Sequence, residues 1–103
     1  MPTTNVTLAF DSPSANANAL RVSREIIQAA TSPGEDNIVK FFLGPNPFNL
    51  KDGAMFLTEV AGAFNGMAEQ AQLRADGSGN WELRATSGGS DIRVKCRAIV
   101  FPR

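Results

Sequence analysis

The fold this sequence predicts is mainly β: a single small antiparallel β-sandwich or meander, with one short helix near residues 19–30. Three observations predict it. Near the carboxy terminus Ile92, Val94, Cys96, Ala98 and Val100 alternate with Arg93, Lys95, Arg97, Ile99 and Phe101. A period of two sends successive side chains to opposite faces of a sheet. Glycine-rich segments, Asp76-Gly77-Ser78-Gly79 and Ser87-Gly88-Gly89-Ser90, separate such runs and read as turns. Finally, the chain has 103 residues, 43% of them hydrophobic and 19% charged. Residues 1–103 therefore read as one globular domain, of a size that buries roughly 60–70% of its unfolded surface.

Taken in order, Val6, Leu8 and Phe10 alternate with Asn5, Thr7 and Ala9 and form a first strand. DSPSANANA, small and polar, follows as a surface loop. The stretch ALRVSREIIQAATSPG supports two readings. Val22, Ile26, Ala29 and Ala30 fall on one face of a helix with Asn18 as its cap and Pro33-Gly34 at its end. Leu20, Val22 and Ile26 equally fit one face of a long edge strand, and the short helix is the preferred reading. IVKFFLG is a β-branched and aromatic strand, stopped by the prolines and glycine of GPNPFNLKDGA. In MFLTEVAGAFNGMAEQAQLRA the apolar spacing of Phe56, Val60 and Phe64 also suits a helix. Gly62 and Gly66 would each cost such a helix about 1 kcal/mol. Two strands joined by an Asn65-Gly66 turn are preferred. Trp81, Leu83 and Ala85 alternate with Glu82, Arg84 and Thr86, which pairs this run with the last strand as a hairpin. The final four strands read as a meander, and the whole as about six strands.

The chemistry is sparse. Ten basic and ten acidic residues cancel, so no long-range field draws the chain to nucleic acid or an anionic membrane. Neither partner is expected, nor is membrane insertion, because no run approaches the ~18 apolar residues of a span. There is no histidine, and Cys96 is the lone cysteine. A Cys/His zinc site, a histidine base and an intramolecular disulfide are all excluded. Cys96 falls on the apolar parity and reads as a buried thiol. No phosphate-binding glycine loop is present, and no catalytic, cofactor or metal residue is assigned. The carboxylates fall in turns or on polar parities, except Glu59, which shares parity with Met55, Leu57 and Ala61. One acid makes no catalytic pair. The amino terminus lacks a basic segment ahead of an apolar core, so no secretion signal is expected.

Two surface features stand out. If the meander strands are neighbours, Arg74, Arg84, Arg93, Lys95 and Arg97 share an outward, locally basic face with Gln70, Gln72 and Glu82. Such a face is either plainly solvated or a surface for glycans or a protein partner. Ile99 and Phe101 fall on the otherwise polar parity of the last strand, so its end needs cover on both sides. They are the candidate subunit contact. Trp81 alternates with Leu83 and Ala85 and reads as core rather than as a sugar platform.

The last half of the chain resembles a known module. Phe56-Leu57-Thr58, Val60, Gly62, Phe64, Gly66, Glu69, Trp81 and Cys96 are similar to the packing pattern of a small β-rich carboxy-terminal module in bacteriophage tail-fibre and other virion surface proteins. Met55 stands where that family has a cysteine, and Gly66-Met67-Ala68 replaces a glycine cluster. The shared positions are structural, so no receptor-contacting residue carries over. The resemblance implies a non-enzymatic virion component made in the host cytoplasm, a homotrimer touching other capsid or tail proteins, with loops facing a host-surface glycan. Capsid decoration, a small tail or baseplate subunit and a detached fibre tip all fit. A stand-alone carbohydrate-binding β-sandwich is the alternative, motivated by the polar face and Trp81.

Overall fold

Two β-sheets face each other, each turning its apolar parity inward. The computed structural model describes residues 3–10, 20–30 (27–30 as backbone), 34–64, 66 and 69–102. Among these residues the elements are β1 (Thr3–Thr7), β2 (Arg21–Val22), β3 (Ile26–Ala30), β4 (Asp36–Leu43), β5 (Asn46–Pro47), β6 (Gly53–Gly62), β7 (Gln70–Ala75), β8 (Trp81–Thr86) and β9 (Ile92–Val100). The first sheet has the order β1-β4-β8-β7, with the short β5 on β4. In the second, β9 is central, with β6 along one edge and β2 and β3 along the other. The β1–β4 pair is parallel and every other pair is antiparallel.

The core follows directly from the alternation. Val39, Phe41, Leu83 and Ala85 from the first sheet meet Met55, Ile92, Val94, Cys96, Ala98 and Val100 from the second. Phe48, in the loop after β5, is fully buried and closes one end. Its backbone is held on both sides, since Phe48 N donates to Phe41 O (2.9 Å) and Trp81 N to Phe48 O (2.8 Å). Trp81 packs against this core from inside, and its Nε1 donates to Gly53 O (3.2 Å). It is a structural residue, as its parity predicts.

The mainly β sandwich is therefore present, but three expectations need correction. The first is the helix. Residues 20–30 form β2 and β3, which run antiparallel along β9. The chain breaks step between them at Ser23, whose N donates to Ala98 O (2.8 Å) while its Oγ accepts from Ala98 N (2.9 Å). A helix would leave this edge of β9 unpaired; the strands satisfy its backbone donors and acceptors.

The second correction is the meander. β6 pairs with β9 and β7 with β8, so the connection 87–91 carries the chain from one sheet to the other. As hairpin neighbours, β8 and β9 would present two apolar faces side by side; on facing sheets each covers the other. The turn expected at Asn65-Gly66 includes Asn65, outside the described residues, and the strands it was to join belong to different sheets. The third is the purely antiparallel pairing, which β1 breaks by lying parallel to β4.

Candidate functional site

The change of topology divides the basic face that the meander predicts. Arg74 and Arg84 lie on the outer face of the first sheet, and Arg93, Lys95 and Arg97 on that of the second. Each is also matched by an acceptor. Across β4, β8 and β7 the register aligns Lys40, Glu82 and Arg74 in one row. Glu82 binds Lys40 Nζ and accepts from Arg74 Nε (2.8 Å), while Lys40 also reaches Asp76 (3.0 Å). Arg84 grips Asp36 with two parallel hydrogen bonds (3.0 and 2.7 Å). On the second sheet Glu59 accepts from Arg93 (2.9 Å) and lies 3.6 Å from Lys95, which also faces Glu25. Arg97 Nη1 donates to Ser23 O (3.3 Å). Both faces are neutralised mosaics rather than anion-binding fields.

These pairings set the charge states. Burial would raise Glu82, but the hydrogen bonds from Lys40 and Arg74 outweigh it and hold the carboxyl below its usual range. The Arg84 guanidinium holds Asp36 down, and the backbone N–H of Asn80, helped by Lys40, does the same for Asp76. Hydrogen bonding to Glu82 holds Lys40 up. Glu59 is lowered by Arg93, the signature of an ion-paired acid rather than a proton donor poised near neutrality.

Glu59 points outward, against its parity, because of a β-bulge. The β6–β9 register runs Leu57↔Cys96 and then Glu59↔Lys95, so Thr58 is an extra residue. A bulge reverses the phase of everything after it. Thr58 Oγ1 accordingly reaches across to Glu25 (2.8 Å) on the outer face. Cys96 is fully buried, and burial, aided by the charge of Glu25, pushes its thiol up to about 12. Among the described residues no group of three His, Cys, Asp or Glu could hold a metal ion, and no helix is long and apolar enough to cross a membrane.

Beyond these pairings lie an apolar patch and a tip cleft, and Leu50, Leu57, Val60 and Phe64 are exposed as well. Ile99 lies in a row with Val22 of β2 and Ala54 of β6. Phe56 stands opposite Arg97 on the same face, and the exposed Leu20 and Phe101 are the chain neighbours of Arg21 and Val100, which pair at the end of the sheet. Leu20, Val22, Phe56 and Phe101 keep 56%, 49%, 39% and 44% of their surface exposed. The candidate contact residue Ile99 is thus joined on its face by Val22 and Phe56, with the exposed Phe101 next along the chain from Val100. The signal of Val22 and Phe56 was available only through pairing, since neither is unusual along its own strand.

The second feature is a cleft of about 740 Å³ at the tip of the sandwich, between the β5–β6 loop and the β7–β8 turn. Asn46, Asn49, Lys51, Asp52 and Asn80 supply its polar lining, and Leu43 and Pro47 its apolar rim. An isolated bridge between Asn49 and Asn80 ties the two loops together. A smaller cavity of about 190 Å³ shares Leu43, Lys51 and Asp52 and extends to Phe101 and Pro102. Fold and site together define a two-sheet β-sandwich with neutralised polar faces, an apolar patch and a polar tip. Comparison with protein-family models, curated proteins and solved structures found no match for the chain.

Proposed function

We propose that the chain is a non-enzymatic structural β-sandwich that assembles with copies of itself and serves as a surface subunit of a bacteriophage virion, in capsid decoration or at a tail or fibre tip. The assembly reading is carried by the apolar patch of Leu20, Val22, Phe56, Ile99 and Phe101 on the outer face of the second sheet. Exposed apolar side chains gathered on one sheet face mark interaction sites, and a subunit that docks by buried area needs no reactive group. The virion setting rests on the resemblance of residues 55–101 to phage surface modules. The ion-paired carboxylates and the buried Cys96 thiol favour a non-catalytic role.

Light scattering on the purified chain tests the assembly reading. A defined oligomer, a trimer by the resemblance, is expected, and Val22→Lys with Phe56→Lys should convert it to a folded monomer. A wild-type chain that stays monomeric at every concentration overturns the reading. Detecting the chain in purified particles of the phage whose genome encodes it tests the setting, and its absence there counts against a virion role. The carbohydrate-binding alternative loses its first supports, because Trp81 is anchored inside and the polar faces are occupied by their own ion pairs.

A further inference from the structure

The tip cleft supports a binding role that does not depend on assembly. Its amides are oriented by the fold. Asn49 Nδ2 donates to Asn80 Oδ1 (2.9 Å) and to Ser78 O (3.2 Å), while Asn49 Oδ1 accepts from Lys51 N (3.1 Å). Asn80 Nδ2 is left without an acceptor among the described residues. Asp52 Oδ2 accepts from Asn49 N (3.1 Å), which leaves its second oxygen open in the same sense. Lys51 makes no ion pair among the described residues. The cleft therefore presents fixed donors and acceptors side by side, and its one cation and one anion cancel.

We propose that this cleft binds a short neutral oligosaccharide, with Asn46, Lys51, Asp52 and Asn80 hydrogen-bonding its hydroxyls and the Leu43–Pro47 rim covering a C–H face of one ring. A sugar ring matches the lining because each hydroxyl both donates and accepts, and adjacent hydroxyls span the two atoms of a planar amide or carboxylate. The volume lies within the roughly 300–1,000 Å³ of small-ligand sites. An anion gains little where Asp52 offsets Lys51, and Asp52 is the one carboxylate of the lining, which falls short of the three His, Cys, Asp or Glu of a cation cluster. A peptide needs a free strand edge or an apolar anchor pocket, and here the apolar atoms form only a rim.

The test is a nitrogen–proton correlation NMR titration of the full chain with maltotriose, cellotriose and chitotriose separately, with tri-alanine as the peptide control. At least one sugar should give saturable, millimolar-range shifts confined to the side-chain amides of Asn46, Asn49 and Asn80 and the backbone of residues 49–52. Asn46→Ala combined with Lys51→Ala, both exposed positions, should weaken that binding about tenfold with an unchanged Tm. The proposal is overturned if no sugar shifts these resonances, if tri-alanine does so instead, or if the double variant binds as well as the parent. Light scattering on the same samples separates the two readings, since a monomer that binds sugar removes only assembly and an oligomer that does not removes only the cleft.

Discussion

Glu82 shows how single residues set the behaviour of this molecule. Its side chain is 5% exposed yet charged, because Lys40 and Arg74 converge on it from the strands on either side. Removing one member of such a buried charged set is costly, whereas replacing all of its members together need not be. Asp36, Asp76 and Glu82 all have folded pKa values below their ordinary ones. The stability they contribute is present above the unfolded carboxylate range near pH 4 and is lost as pH falls through their lower folded values. Thermal unfolding followed by circular dichroism should therefore give a Tm that is flat from neutral pH to about 5 and drops below about 4. Glu82→Gln should lower the neutral-pH stability by about 1–3 kcal/mol and flatten the acid limb. A Tm as steep in the variant as in the parent would show that the row contributes nothing. Cys96 acts at the other end of the scale. Its thiol is raised from 9.0 to about 12, so its stabilising contribution is intact below pH 9 and fades between those values. Iodoacetamide at mildly alkaline pH should label Cys96 only after denaturant is added, and labelling of the native chain would contradict its burial.

Strands, rather than residues, decide what could be read in advance. β6, β8 and β9 were legible because each carries an uninterrupted or nearly uninterrupted alternation, and alternation dictates which face a side chain takes. It does not dictate which strand lies alongside, so it suggests a β8–β9 hairpin where the two strands belong to facing sheets. The same ignorance of pairing merged Arg74 and Arg84 with Arg93, Lys95 and Arg97 into one face. For β2 and β3 the spacing of Val22 and Ile26 fits a helix and a long edge strand alike; strands form, but the step at Ser23 turns the two residues to opposite faces, which neither reading contains. Glu59 is ion-paired, as a lone strand acid should be, but only the bulge at Thr58, which parity cannot show, turns it outward; Phe48 carries no alternation because it sits among prolines, asparagines and glycines. As a lone large aromatic in a polar loop, it could have been suspected of plugging the core. Of the candidate site, Ile99 and Phe101 were legible; the tip cleft, made by loops meeting across the fold, was not. Two element-level outcomes follow from these features. Ser23→Ala removes the hydroxyl that accepts from Ala98 N in a buried setting and should cost about 1–3 kcal/mol in denaturant unfolding. Gly62→Ala should also destabilise, because φ is +119° there and a Cβ would lie 2.4 Å from Asp91 O. A neutral result at either position would mean that the end of β6 or the β2–β3 step relaxes freely.

At the scale of the whole molecule, the self-assembly proposed above could use either of two kinds of surface, and salt distinguishes them. The sandwich measures 46 × 26 × 18 Å, with the apolar patch toward the tip end of the second sheet and the Glu25–Lys95–Glu59–Arg93 network farther along the same face. Formal net charge is zero, so copies do not repel one another at long range. If they joined through the charged network, the exposed charges would be screened within about 3 Å at 1 M salt and the oligomer would dissociate. Contact through Val22, Phe56, Ile99 and Phe101 would instead be driven by removing apolar area from water, which sodium chloride does not screen and sulfate strengthens. The expected outcome by light scattering is an oligomer whose mass holds in molar sodium chloride and whose dissociation constant falls in sulfate. Dissociation in sodium chloride, with Arg93→Ala and Lys95→Ala mimicking it and Phe56→Lys without effect, would move the contact off the patch and onto the charged end of the face.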